Sequence, residues 1–380
     1  MELVTSGMAS GGDAVARDSA GKAVFVRGAL PGERVRVKRL TDHSKYTIAC
    51  VDSVIEPSSD RVVPPCPEVD HGCGACQWQH ISIPMQRELK GQIIIEAIER
   101  SGVQCPEPKP PIELAPWGFR TTINAAVKDG RAGFHRSRSH QIVAVDSCLV
   151  AHPLLQDLLV GGRYPGAKKV LLRCGARTGE RLAATTPTGL TVRVPSDVSA
   201  EHFHEEAAGR SWRISARSFF QTRADGVDAL ASAIVDAAGE MGPPSTALDL
   251  YSGVGLFAGV LAERGWSVTA VEGSSSSVAD AEFNLRDLKV TVVRADVTTW
   301  TPHQADLVVA DPSRFGLGRE GVDVVAATNA RRVILISCDA ASLGRDASLL
   351  RHAGYTLNAV THVDLFPQTY RVEAVTVYDR

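Results

Sequence analysis

Ser337-Cys338-Asp339 follows the apolar run Val333-Ile334-Leu335-Ile336, which predicts a buried strand, and a helical pattern over Ala341–His352 comes next. Cys338 therefore stands where a strand ends and a helix begins. Free backbone N–H groups and the helix dipole favour negative charge at such a place, so an activated thiol is expected. An inert, buried cysteine is the plainer reading of this segment by itself. A second group with chemistry is Cys66-Pro67-Glu68-Val69-Asp70-His71-Gly72-Cys73-Gly74-Ala75-Cys76. Cys66, Cys73 and Cys76, set among small residues, make a poor core and a good cradle for a soft metal. Cys148, in Val145-Asp146-Ser147-Cys148, is the best fourth ligand. Spacing leaves structural zinc and an iron–sulfur cluster both open, with His71 able to stand in for one thiolate. Cys50, Cys105 and Cys174 are left as free thiols.

Ala247-Leu248-Asp249-Leu250-Tyr251-Ser252-Gly253-Val254-Gly255-Leu256-Phe257 reads as strand, glycine loop and helix start. Gly253 and Gly255 let the backbone approach a ligand closely. Glu272 ends the next strand and can accept from ribose hydroxyls. The loop also fits the loose dinucleotide fingerprint, so an NAD-dependent oxidoreductase is a rival. Acids at Asp249, Glu272 and Asp296 suit S-adenosylmethionine better, with Asp249 near the methionine end and Asp296 at the adenine amino group. Asp311-Pro312-Ser313-Arg314 ends the strand Leu307–Ala310, and the proline after the acid holds the carboxylate out from the sheet edge.

The elements that must position these residues fall into three stretches. Residues 1–57 alternate apolar and polar side chains between glycine breaks, which predicts a small β-barrel. Arg34, Arg36, Lys38 and Arg39 alternate with Val35, Val37 and Leu40, giving one basic face that could track phosphates. Residues 58–210 carry the cysteine loop, a helix over Met85–Arg100, and a run from 117 to about 205 with no clear periodicity. From 211 to 380 strands and helices alternate, which predicts an α/β domain with a doubly wound parallel sheet. At 380 residues, 44% hydrophobic and 22% charged, the chain has the composition of ordinary globular proteins. A net charge of −2 means that nucleic-acid binding would need local patches. No apolar run reaches membrane-spanning length and no signal-peptide pattern opens the chain, so no membrane, a cytoplasmic location and reduced thiols are expected.

Asp249–Gly255, Asp311–Arg314, Ser337–Asp339 and Phe366-Pro367-Gln368-Thr369-Tyr370-Arg371-Val372-Glu373 together resemble the bacterial RNA uracil-5-methyltransferases, over nearly the whole chain. The resemblance implies a TRAM-type, OB-like RNA-binding barrel, a central cysteine-cluster α+β domain and a class I methyltransferase domain. It implies Cys338 as nucleophile and Glu373 as base. Gln221, Tyr251, Gly253, Glu272, Asp296 and Asp311 would hold S-adenosylmethionine. Cys66, Cys73, Cys76 and Cys148 would hold a [4Fe–4S] cluster, which tilts the substrate toward 23S ribosomal RNA over transfer RNA, on a protein expected to be a monomer. Arg34, Arg36, Lys38, Arg39 and Phe219 would meet the RNA; of the pair Phe219-Phe220, one is expected inside and one at the substrate. The sequence departs from the family at Ser313, Asp339, Ser342 and Arg223, where the family has Pro or Ala, Asn, Thr and Asn. A carboxylate beside Cys338 could raise its pKa. A cluster-bearing RNA-binding module without catalysis is the reading that Asp339 and Arg223 would fit.

Overall fold

The computed structural model describes residues 1–380. Strands Glu2–Met8, Ala14–Arg17, Ala23–Arg27, Arg34–Asp42 and Tyr46–Glu56 close into a barrel. Alternation builds it: Leu3, Ala14, Ala16, Val24, Val26, Val35, Val37 and Ala49 point inward and are buried, while their neighbours face out. The barrel core runs without a break into one face of the C-terminal domain, through the helix Ile83–Arg100. Ser82 caps that helix, accepting from the N–H of Met85, and Leu89, Ile93, Ile94 and Ile98 form its buried stripe.

The run without periodicity folds as a six-stranded sheet. Its centre pairs Thr122–Lys128, Lys169–Cys174 and Arg181–Thr186, with Arg131–His135 and Ile142–Ala144 on one side and the short strand Val198–Ser199 on the other. Buried neighbours such as Ala125 and Ala126 break the alternation, which is why the strands were not legible.

The C-terminal domain is an eight-stranded sheet with helices on both faces. Five strands are parallel: Thr246–Leu250, Ser267–Glu272, Val290–Arg294, Leu307–Ala310 and Arg332–Ser337. The expected all-parallel sheet is corrected by the strand Ala374–Asp379. It inserts antiparallel between Arg332–Ser337 and Thr356–Val363, because the connection after residue 363 is a short hairpin and not a crossover. The boundary expected at 210 is also crossed: the strand Lys109–Ile112 joins the edge of this sheet beside Thr356–Val363, and the helix Ile83–Arg100 packs on the helix Ala340–His352. No helix is long and apolar enough to cross a membrane.

Candidate active site and cysteine centre

Strand register brings the reactive groups together. Ala310 pairs with Leu335, so Asp311 leaves the sheet beside the end of the strand that carries Cys338. Ser337 pairs with Ala374, which sets Cys338 opposite Glu373. Glu373 is buried, immediately before a strand flanked on both sides, and not a solvated edge acid. Gln221 donates from Nε2 to the Asp311 carboxylate at 3.0 Å. Burial raises the Asp311 carboxyl above its usual range, against the pull of that hydrogen bond. Burial and the Asp311 charge together raise Glu373 well above the ordinary carboxylate. The Cys338 thiol is pushed up to about 12, by desolvation first and then by Glu373 and Asp311, with Arg371 opposing.

This corrects the expectation of a thiolate stabilised by the helix end. The Asp339 carboxylate takes the N–H groups of Ala341 and Ser342, both at 3.0 Å, so these two do not serve Cys338. Asp339 is thus the helix cap, and it is not among the groups that raise the thiol. Arg223 is likewise structural. Its buried guanidinium holds Asp225 at 2.6 Å and the Ala115 carbonyl at 3.0 Å, and lies 4.4 Å over the Phe119 ring. Ser342 bonds its own turn through the Asp339 carbonyl, and Ser313 is exposed.

The glycine loop opens beside this pocket. Gly253, at φ +57, would carry a Cβ into nearly open space, with only the Phe219 carbonyl 4.0 Å away. Its N–H donates to Glu272 at 2.9 Å, and Ser274 N–H donates to the other Glu272 oxygen at 2.7 Å. Asp249 accepts from the Ala258 N–H at 2.8 Å, but its second oxygen is buried with no partner, as is the Ser252 hydroxyl. Burial pushes the Asp249 carboxyl up to about 8. Two orphaned polar atoms under an open glycine loop fit a ligand that brings its own donors and positive charge, as S-adenosylmethionine would. Tyr251 takes a left-handed φ of +62, so its ring leaves the loop toward the helix Gly318–Ala327. Asp296 is exposed and already accepts from the Thr298 N–H and hydroxyl at 2.9 and 2.8 Å.

The aromatic pair divides as expected: Phe220 is buried and Phe219 is 63% exposed. Sequence reasoning missed Phe315, which is 69% exposed in the loop that follows Asp311-Pro312 and lies under Arg314. An apolar ring after a Pro-turn at the sheet edge was the available signal.

Cys66, Cys73, Cys76 and Cys148 line one small cavity, and all eight cysteines are free thiols. The residue that joins the two loops is Glu68, which sequence reasoning also missed. This buried carboxylate accepts from the N–H groups of Asp146 and Ser147 at 2.9 and 3.2 Å, which brings Cys148 to the loop. Gly74 must be glycine, because a Cβ there would fall 2.4 Å from the Ser137 backbone nitrogen. Desolvation pushes the Cys73 and Cys76 thiols up to about 11 and about 12. Four sulfurs concentrated in one largely buried cavity suit a soft metal. No three His, Cys, Asp or Glu side chains close to the spacing of ligands on a single ion. His71 points out and pairs with Glu68 at 3.0 Å, so it is not part of the cavity wall.

The loop Asp364–Arg371 ties both centres to Glu373. Wholly buried Lys90 holds Asp364 at 2.8 Å and the Phe366 carbonyl at 2.9 Å. The Trp78 N–H, two residues past Cys76, donates to the Gln368 carbonyl. The barrel turn at Gly12 lies so close to Tyr370 that a Cβ would meet the ring at 2.7 Å. A cavity of about 260 Å³ separates this loop from the cysteine loop, lined by Arg120, Asn124, Cys148, Tyr370 and Arg371.

A five-stranded barrel, a cysteine centre and an α/β sheet with a glycine loop and acids at its strand ends define a barrel-bearing class I methyltransferase. A TRAM domain model matches residues 3–49. An RNA methyltransferase of Streptomyces avermitilis is 32% identical over 100% of this chain and 98% of its own length. The 23S rRNA (uracil(1939)-C(5))-methyltransferase of Halomonas elongata is 30% identical over 100% of this chain and 89% of its own. The chain belongs to this family of S-adenosylmethionine-dependent RNA methyltransferases, which removes the NAD-dependent oxidoreductase as a rival. The solved tRNA (uracil-54, C5)-methyltransferase of Pyrococcus abyssi, in complex with S-adenosyl-L-homocysteine, has the same fold, with a TM-score of 0.77 over 100% of both chains at 20% identity.

Proposed function

We propose that this chain methylates C5 of a uridine in RNA, with 23S ribosomal RNA as the favoured substrate, through a covalent bond between Cys338 and the pyrimidine. The observation that carries the reading is the meeting of Cys338, Glu373 and Asp311 at three adjacent strand ends, beside the glycine loop. C5 of uracil is too weak a nucleophile to attack a methyl group unaided. Addition of the Cys338 sulfur to C6 breaks the C5–C6 double bond and leaves carbanion character at C5. S-adenosylmethionine, which Gln221, Tyr251, Gly253, Glu272, Asp296 and Asp311 would hold, would supply the methyl: the C5–CH3 bond forms as the S–CH3 bond breaks, with S-adenosylhomocysteine as the leaving group. Glu373 then takes the C5 proton, the double bond re-forms and the sulfur leaves C6. The raised Glu373 is a stronger base than a solvated carboxylate. Phe219, free of the core, is available to stack on the extruded base, and Phe315 offers a second face.

We assign Cys66, Cys73, Cys76 and Cys148 to a [4Fe–4S] cluster, which would supply binding energy to the loop that meets residue 368. Four cysteines lining one cavity, with Cys148 brought in from a second loop through Glu68, are what supports this assignment. The Halomonas relative supports ribosomal RNA over the transfer RNA named for the more distant Pyrococcus structure. The roles of Asp339 and Arg223 as helix cap and clamp remove the ground for a module without catalysis.

Mapping 5-methyluridine in RNA from cells with and without the gene tests the reading. A site in 23S RNA that disappears with the gene is expected; a lost site in transfer RNA would support the second substrate, and an unchanged map would overturn the function. The pH dependence gives another check. Cys338 must be deprotonated to add to C6, and its thiol lies above the ordinary value, whereas Glu373 acts only after the methyl has moved. The single-turnover rate of methyl transfer should therefore climb from neutral into alkaline pH. A plateau reached below neutrality would contradict these assignments.

A further inference from the structure

The basic residues expected on the barrel do not form a free patch. Arg34 pairs with Glu2 and Glu56, Arg36 with Glu2, and Arg39 with Asp42, so three of the four cations are engaged by acids and only Lys38 has no ion pair. The central sheet differs. On its outer face, register sets Lys169 beside Ala126 on one neighbour and Thr186 on the other, and Asn124 beside Leu171. Lys128 lies further along the strand of Asn124, about 13 Å away at 3.3 Å per residue, on the same face. Lys128 and Lys169 are both exposed. The ion pairs on these strands join Arg131 to Asp146 and Arg181 to Asp157 and Asp197, and leave both lysines free. At the other end, Arg217 and Asn124 line a groove of about 440 Å³ floored by Leu171 and Ala184, in which Glu201 is the single acid. Buried Arg173 anchors that end by donating to the Ser218 carbonyl at 2.7 Å, and so fixes the segment that carries Arg217 and Phe219. Asn124 also lines the cavity that holds Arg120 and Arg371. The groove thus meets, at Asn124, the cavity lined by Arg120 and by the loop that leads to Glu373.

We propose that this open face, bounded by Arg217, Lys169 and Lys128, carries the single strand of RNA that adjoins the target nucleotide, an inference that rests on the RNA-methyltransferase reading. Three cations without ion-pair partners along one face of the sheet match a row of phosphates, and the uncharged floor of Leu171, Ala184 and Ala126 leaves room for sugars and bases. Charge is the main source of affinity on such a surface, and the affinity it supplies falls as salt rises.

The test compares the full-length wild type with a Lys128→Gln/Lys169→Gln/Arg217→Gln variant and with an Arg34→Gln/Arg36→Gln/Lys38→Gln/Arg39→Gln variant. Binding of a labelled short oligouridine is titrated over a salt series, with S-adenosylhomocysteine affinity as the control for folding. Loss of three phosphate contacts should flatten the log–log salt slope by about 2 and weaken binding roughly a hundredfold at 0.1 M salt. Homocysteine-ligand affinity should be unchanged, and the barrel variant should change the slope less. A central-sheet variant that keeps the wild-type slope while the wild type binds and methylates RNA overturns this surface and leaves the function standing. A wild type that binds no oligouridine and transfers no methyl to RNA overturns both. To separate lost docking from a displaced Phe219 segment, Lys128→Gln/Lys169→Gln alone should still flatten the slope by more than 1.

Discussion

Glu373→Gln is expected to freeze the protein on its RNA. Glutamine keeps the shape and burial of Glu373 but cannot accept the C5 proton, so addition of Cys338 and methylation of C5 proceed while elimination stalls. The product is a methylated protein–RNA adduct that survives denaturing electrophoresis, with turnover down by about 10²–10⁴-fold, the usual contribution of a positioned base. Cys338→Ala should lower methylation to background and form no adduct, and the double variant should match it. The arrangement makes this contrast sharp: Cys338 and Glu373 adjoin the last pair, Ser337 and Ala374, of two strands held by their own register. Normal turnover by Glu373→Gln, or activity retained by Cys338→Ala, would sink the mechanism.

Cys148→Ser should cost the protein its iron and much of its central domain. Cys148 reaches the cavity from a different loop than Cys66, Cys73 and Cys76, so the metal group would act as a cross-link between distant segments. Ligand binding is then folding energy, and its loss should lower Tm by roughly 10 °C, the shift that about 3–5 kcal/mol produces in a domain of ordinary size. Wild-type protein purified without oxygen should be brown, bleached by dithionite, with iron in place of zinc. A colourless, active wild type with one zinc per chain would refute the cluster. Because Trp78 bonds to Gln368 in the loop before Glu373, the variant should also lose methylation rate beyond what its melting explains.

Much of this arrangement could be read from residue order because it depends on short-range pattern. The inward alternation of the barrel, the strand before Cys338, the glycine loop and the acid before Pro312 are each encoded within about ten residues. The parts that escaped are made by distant partners. Nothing next to Glu68 in sequence says that its carboxylate will hold the backbone of residues 146 and 147. Asp339 looked like a threat to the thiol because sequence shows adjacency, whereas the fold turns its carboxylate into the helix. The barrel cations looked free because their acids, Glu2 and Glu56, come from other strands. The helix Ala224–Gly239, rich in alanine and with a buried Arg223 at its cap, lacked a local start signal, and the antiparallel insertion of Ala374–Asp379 is a matter of topology that periodicity does not carry.

That insertion has a consequence for how the protein is made. The strand that follows Glu373 is translated after both strands that flank it, so a growing chain must hold Arg332–Ser337 and Thr356–Val363 apart, or let them come apart, until residues 374–379 emerge from the ribosome. A chain stopped before that point has the thiol and the glycine loop but neither the carboxylate nor the strand that seats it. Copies that stop there are therefore unable to complete elimination, and the reactive pocket closes only once residues 374–379 have been made.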